Sequence, residues 1–204
     1  MEAERFSVIG FTLPSPHPEG YRSEASCIVD FLQSGAVDFF HIRKPDASLE
    51  YTSRLVGAVP SEYHSRLTLH SHFELFNACH FGGIHHKDID ISDFPADIRK
   101  SRSCHRLDEL SQFPHTYTYS FLSPIYDSIS KPGYGAAPHL EDPGLSSVLA
   151  SVPVVALGGV IPEKFSQLFA LKFAGAALLG YLWGQFNLNI IIHSLLKARK
   201  DLYA

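Results

Sequence analysis

Short apolar runs alternate along this chain with longer stretches whose apolar positions recur every three or four residues. The alternation predicts strands and helices in turn. Residues 6–13 (FSVIGFTL) read as a first strand, and residues 22–33, with Ile28, Val29, Phe31 and Leu32, as a helix. A second strand is predicted at 37–42 (VDFFHI) and a helix at 49–59, ended by Pro60. The run 66–69 is short and β-like, and 72–79 follows it with Phe73, Leu75 and Phe76 as a helical face. Residues 83–85 make a minimal fourth strand and 100–103 a fifth, before a helix at 107–113.

The later pattern is plainer. Residues 115–122 form a sixth strand, and 140–150 a helix despite Pro143. The run 152–157 (VPVVAL) ends in Gly158-Gly159, and Pro162 opens a helix through residue 171, as proline can at a first helical position. Residues 173–179 (FAGAALL) are an eighth strand and 189–202 a closing helix. Such alternation implies parallel pairing through crossovers, and unbroken apolar strands suit a sheet covered on both faces. Residues 1–204 therefore read as one domain, a short (β/α)8 TIM barrel of α/β class. An open doubly wound α/β sheet has the same alternation and is the alternative.

Composition narrows the function. The chain is 45% hydrophobic and 19% charged, as soluble globular proteins are, with net charge −4 and no basic block. Nucleic-acid and membrane-surface binding thus lack electrostatic support, and an anion site must be built locally. Cys27, Cys79 and Cys104 are three cysteines without close spacing, which points to a reducing compartment. The N-terminus lacks the basic start and cleavage site of a signal peptide, and no apolar stretch nears the roughly 20 residues of a membrane span. The expected localisation is cytoplasmic. Oligomeric state has no signature in the sequence.

In a barrel, active sites form where strands run into the following loops. The residues at those points are His41 and Arg43; His70 and His72; His85, His86, Asp88 and Asp90; Ser103 and His105; Ser128, Ser130 and Lys131; Gly158 and Gly159. Six of the twelve histidines lie there. The stretch 120–134, SFLSPIYDSISKPGY, ends an apolar run in hydroxyls and one lysine, the donors and charge a phosphate needs. A plain Ser/Pro/Gly turn is the other reading of it. Gly-Gly after an apolar strand lets backbone N–H groups approach an anion, and Gly180 supplies a matching turn on the next strand. Asp88 and Asp90 suit Mg²⁺ or a solvated acidic turn, and His70-x-His72 a transition metal or one inward and one surface ring.

These segments together resemble the thiamine phosphate synthase family, including its TenI-like thiazole tautomerase branch. The resemblance spans residues 37–184 and rests on HIRKPD, ELFNACHFGGIHHKDID, SRSCHRLDEL, SPIYDSISKPGY, VVALGGV and FAGAALLGYLW in that order. It implies a (β/α)8 barrel, a small-molecule phosphate substrate and a role in thiamine biosynthesis. Family synthases join a pyrimidine methyl pyrophosphate to a thiazole phosphate with Mg²⁺ and release pyrophosphate. The tautomerases aromatise a carboxythiazole phosphate by moving a proton and need no metal.

Position by position, the resemblance assigns Ser103, the Ser128-Ile129-Ser130-Lys131 loop and Gly158-Gly159 to substrate and phosphate binding. It assigns His105 to proton transfer. Arg43 is kept from the strand-two motif, whereas Pro45 stands where the family has its pyrophosphate lysine and Lys44 lies one position early. His70-Ser71 replaces the Asn-Asp pair that binds Mg²⁺, leaving Asp90 as the one matched metal aspartate, and Gly180 replaces a serine. The losses fall on the pyrophosphate and metal end, which favours the tautomerase with no cofactor over the Mg²⁺-dependent synthase. His41, His70 and His85 are pocket candidates. A metal-dependent hydrolase using His70, His72, His85 and Asp90, and a non-catalytic thiazole or thiamine phosphate binder, are further alternatives.

Overall fold

In the computed structural model, eight parallel strands close into a barrel in sequence order, β1 pairing with β8. The structure describes residues 5–86, 91–112, 116–127, 138–184 and 187–204. The strands are β1 Ser7–Phe11, β2 Phe39–Ile42, β3 Leu67–Leu69, β4 Gly83–His85, β5 Arg99–Cys104, β6 Tyr119–Leu122, β7 Val154–Ala156 and β8 Gly175–Leu178. The helices are α1 Tyr21–Gln33, α2 Leu49–Ala58, α3 Leu107–Leu110, α4 Leu145–Ser151, α5 Phe165–Ala170 and α6 Leu188–Asp201. The closed order excludes the open doubly wound sheet.

Alternation along each strand sorts side chains into two cores. Outward residues such as Val8, Phe40, Ile42, Leu69 and Leu122 pack under the helices, where α1 contributes Ile28, Phe31 and Leu32. Inward residues Ile9, Phe11, Tyr119, Phe121, Val155 and Ala177 fill the barrel with Phe39, Leu157 and Leu179. Each fully buried side chain of this kind contributes about 1.5–3 kcal/mol. Among the described residues no helix is long and apolar enough to cross a membrane, and the three cysteines are free thiols.

Several elements are shorter than their patterns predict. The helix expected at 72–79 is a single 3₁₀ turn, Phe73–Leu75, because His72 enters it in the left-handed region at φ 56°. The helix expected at 140–150 begins only after Pro143, as α4, preceded by a 3₁₀ turn at Pro138–Glu141. Pro162 opens a 3₁₀ turn, Pro162–Lys164, that leads into α5. Between β3 and β4, and in the described part of the β4–β5 connection, the chain carries 3₁₀ turns and no α-helix.

Candidate active site

On β2, strand parity turns Phe39 and His41 into the barrel and Phe40 and Ile42 out of it. His41 is fully buried. Its Nε2 lies 2.7 Å from the Tyr119 hydroxyl and its Nδ1 2.7 Å from Nε2 of His70. Burial first, then nearby His85 and the Arg99 cation, hold the His41 pKa well below the usual histidine value, so the ring stays neutral. Burial also pushes the Tyr119 phenol up to about 12, keeping it protonated. His70 is half-buried at the end of β3, its amide bonded to the Ile42 carbonyl at 3.2 Å.

The His70 ring stacks on His85, with centroids 4.0 Å apart and planes 11° from parallel. His85 is held between two hydroxyls of β5, Ser101 Oγ at 3.0 Å from Nδ1 and Ser103 Oγ at 3.1 Å from Nε2. His41, His70 and His85 each offer one ring nitrogen within 4.8 Å of the others. By donor type such a group suits a transition metal such as zinc.

Inward parity on β5 sends Arg99, Ser101 and Ser103 toward the interior, and His105 follows on the same side just past the strand. The His105 Nδ1–H donates to the Ser123 carbonyl at 2.9 Å. Since a carbonyl only accepts, the proton resides on Nδ1, and Nε2 keeps its lone pair. The Glu109 carboxylate accepts from the His105 amide at 2.7 Å and the Arg106 amide at 3.3 Å, fixing the loop that carries the ring. His105 is exposed.

Beyond β7, Gly158 and Gly159 have φ of 93° and 64°, values that glycine alone adopts without strain. A Cβ on Gly159 would lie 2.2 Å from the Asp127 carbonyl oxygen and 2.7 Å from the Tyr126 carbonyl carbon. The glycine turn therefore packs against the loop after β6, joined to it by Ile125 N–H to Leu157 O and Tyr126 N–H to Gly158 O, both 3.0 Å. Among the described residues neither glycine N–H donates a hydrogen bond. Two elements assigned to phosphate by sequence thus start from one contact. Ser128, Ser130 and Lys131 themselves lie outside the described residues, as do Asp88 and Asp90.

Lys44 does not join this group. Its side chain is fully buried outside the barrel, with Nζ 2.6 and 2.7 Å from the Glu24 carboxylate oxygens and 2.9 Å from the Ser15 carbonyl. Parity explains the correction: one place after inward Arg43-type positions, Lys44 faces α1 and its charge is consumed there. Arg43 is exposed at the end of β2, with Thr12 bridging its backbone N–H and carbonyl. His72 points to the Ala47 carbonyl at 3.3 Å, and His86 bonds the Tyr117 hydroxyl, so neither reaches the His41–His70–His85 cluster. The His70, His72, His85 set required by the hydrolase alternative is not assembled. Sequence reading missed Tyr119, Ser101 and Glu109. Tyr119 was discoverable, since it shares a face of β6 with Tyr117 and Phe121 opposite the inward histidines.

The comparisons follow this geometry. The family model described as thiamine monophosphate synthase matches residues 14–182. No curated protein sequence matches the chain. A thiamine phosphate pyrophosphorylase from Bacteroides thetaiotaomicron is similar at 27% identity and TM-score 0.76, over 98% of this chain and 99% of that one. A thiamine phosphate pyrophosphorylase from Pyrococcus furiosus shares the fold at 15% identity and TM-score 0.73, over 98% of each chain. So does N-(5'-phosphoribosyl)anthranilate isomerase from Pyrococcus furiosus, at 14% identity and TM-score 0.59, over 97% of this chain and 100% of that one.

Proposed function

The chain belongs to the thiamine monophosphate synthase family, and from that premise we propose that it binds a thiazole phosphate and acts on it by proton transfer through His105. The observation that carries the reading is the tautomer of His105. Its Nδ1–H is committed to the Ser123 carbonyl, so Nε2 is a base at the mouth of the barrel. An imidazole begins near a pKa of about 6.5, where a general base works well at neutral pH. The phosphate would rest on the N–H groups of Gly158 and Gly159, which donate no hydrogen bond among the described residues, and the resemblance adds Ser128, Ser130, Lys131, Gly180 and Ser103 as further contacts. Arg43 adds the one charge this rim keeps from the strand-two motif.

Mg²⁺ fits the described residues poorly. It takes oxygen ligands in octahedral geometry, whereas β3 and β4 end here in the imidazoles of His70 and His85. Lys44, bound to Glu24, cannot assist a pyrophosphate leaving group without breaking a buried ion pair. Coupling of a pyrimidine pyrophosphate to thiazole phosphate is the second reading. It is favoured by the likeness, over nearly the whole chain, to the Bacteroides thetaiotaomicron pyrophosphorylase.

A paired assay separates them. One arm supplies carboxythiazole phosphate tautomer without metal, the other pyrimidine pyrophosphate and thiazole phosphate with Mg²⁺. Aromatisation in the first arm alone is expected, falling about 10²–10⁴-fold in His105→Ala. Coupling that needs Mg²⁺ and is lost in Asp90→Ala would replace the proton-transfer reading with the synthase.

A further inference from the structure

His41 of β2, His70 at the end of β3 and His85 of β4 come from three neighbouring strands. One ring nitrogen of each lies within 4.8 Å of the other two. Two of the rings are held firmly. His41 is fully buried and keeps its Nε2 on the Tyr119 hydroxyl at 2.7 Å. His85 is also buried, with the Ser101 hydroxyl 3.0 Å from one nitrogen and the Ser103 hydroxyl 3.1 Å from the other. It can ligate through either nitrogen and leave the other on a serine. His70 is half-buried at its strand end and is the ring with room to turn. Phe11 and Phe121 wall the group, with ring centroids 4.9–5.8 Å from those of the imidazoles.

These are the surroundings an imidazole ligand needs. A ligating histidine keeps its second nitrogen on a hydrogen-bond partner, which fixes its tautomer, and an apolar shell limits access of water. The contact between His41 and His70 shows what an ion has to change. A hydrogen bridges Nδ1 of His41 and Nε2 of His70 at 2.7 Å. Two imidazole nitrogens on one tetrahedral zinc, each about 2.0–2.1 Å from it, stand roughly 3.3 Å apart. The bridging hydrogen therefore moves to an outer ring nitrogen and the two rings part by a fraction of an ångström. On His41 the outer nitrogen is Nε2, and the Tyr119 oxygen accepts its hydrogen. All three rings stay neutral, so no proton is lost. His70, stacked on His85 at 4.0 Å, turns to bring its lone pair to the shared point.

We infer that His41, His70 and His85 form a binding site for one divalent transition ion of the zinc class, its fourth position left to water or to an anionic oxygen of a ligand. Three neutral nitrogens offer little to a hard cation such as Mg²⁺, which prefers oxygen, and much to a borderline ion. Tyr119 is a positioning residue that holds His41 in the ligating tautomer. His72, whose ring lies toward the Ala47 carbonyl, takes no part. The site stands apart from His105, and its test does not depend on the proton-transfer reading.

The test is a calorimetric titration of chelator-treated full chain with Zn²⁺. One equivalent per chain should bind, in the presence or absence of excess Mg²⁺, and Co²⁺ should give the intense visible bands of a tetrahedral ion. His70→Ala removes a ligand and should lower affinity more than about 100-fold, whereas Tyr119→Phe removes a ligand's partner and should lower it about 10–100-fold. His72→Ala and His86→Ala should leave it unchanged. In ¹⁵N-histidine-labelled chain, Zn²⁺ should shift the ring signals of His41, His70 and His85 and not those of His72 and His86, a readout that needs no variant to fold. Absence of Zn²⁺ uptake by the folded wild type overturns the inference. So does equal affinity in folded His70→Ala, or binding that is lost in His72→Ala, either of which would place the ion on other histidines.

Discussion

The two ends of this barrel use polar residues in opposite ways. At the N-terminal ends of the strands, full charges are buried and saturated. Asp38 accepts from the Val8 amide at 2.8 Å, from Arg199 at 2.8 and 3.1 Å, and from Arg5 at 2.6 Å. Arg66 spends its guanidinium on the carbonyls of Leu32, Val37 and Asp38 at 2.6–2.8 Å. At the C-terminal ends the described inward groups are imidazoles, hydroxyls and a glycine turn. A saturated charge has one stable state and serves stability. A neutral imidazole has two tautomers, and what it does depends on which nitrogen holds the proton. An end that does not close the barrel can change its side chains while the fold is kept.

The largest effect should come from breaking the saturated end. Asp38→Ala leaves Arg199 without a counter-charge and the Val8 amide without its acceptor, and Asp38 is buried, with 8% of its side chain exposed. Removing one partner of a buried pair costs about 3–5 kcal/mol. Urea unfolding should show that loss, while the folded fraction keeps its affinity for thiazole phosphate. A loss below about 1 kcal/mol would mean that the floor is not the stabilising end.

Tyr119 lies between the two ends, and its effect is next in size. Its pKa is raised from 10.0 to about 12 by burial, so the unfolded chain gives up this proton first. The stability this contributes is fully present below pH 10 and is lost as pH rises from 10 toward 12, about 2–3 kcal/mol in all. Tyr119→Phe should lack that component. The difference between wild-type and variant stability curves should therefore shrink across this window, other tyrosines cancelling. Parallel curves would place water beside the phenol and break its hydrogen bond to His41.

Which of this was legible follows from where the information sits. Strands of uniform apolar residues, such as those giving β7 and β8, declare themselves in sequence, and with them the alternating barrel. β5 (RKSRSC) is placed at 100–103 by its position in the alternation and not by an apolar run. Its outward Arg102 satisfies the carbonyls of Glu109 and Leu110, and its inward serines serve His85. Its polar residues are paired by partners that no local pattern displays. The same holds for Lys44, whose orientation is decided by Glu24, twenty positions back and on another element. His41, His70 and His85 were individually visible as strand-end residues. Their linkage to one another and to Tyr119 was not, because it depends on which side chains meet across the barrel.

At the glycine end the expected effect is smaller. Gly159→Ala puts a side chain at φ 64° and drives its Cβ into the Tyr126–Asp127 backbone. Left-handed strain and the shift it forces should cost about 1–3 kcal/mol. Because the displaced loop leads directly into Ser128, affinity for thiazole phosphate should fall more than stability does, by calorimetric titration at a temperature where the variant is fully folded. Unchanged affinity would remove the glycine turn from the phosphate site and weaken the contrast between the two ends.

The smallest effect tests the contrast within one carboxylate. Arg5 and Arg199 both bond Asp38, but the Arg5 side chain is 76% exposed and that of Arg199 16%. An exposed partner gains little because water and salt screen the pair and an ordered long side chain loses entropy. Arg5→Ala should cost only about 0.2–1 kcal/mol, and less in high salt. Arg199→Ala should cost several times more, since it also removes the hydrogen bond to the Ala36 carbonyl and leaves Asp38 dependent on the weaker arm. If thermal unfolding gives the two variants the same loss, burial is not what makes the floor stabilising. The number of charges gathered on Asp38 would then be the cause, and burying neutral groups at the mouth would be no concession in stability at all.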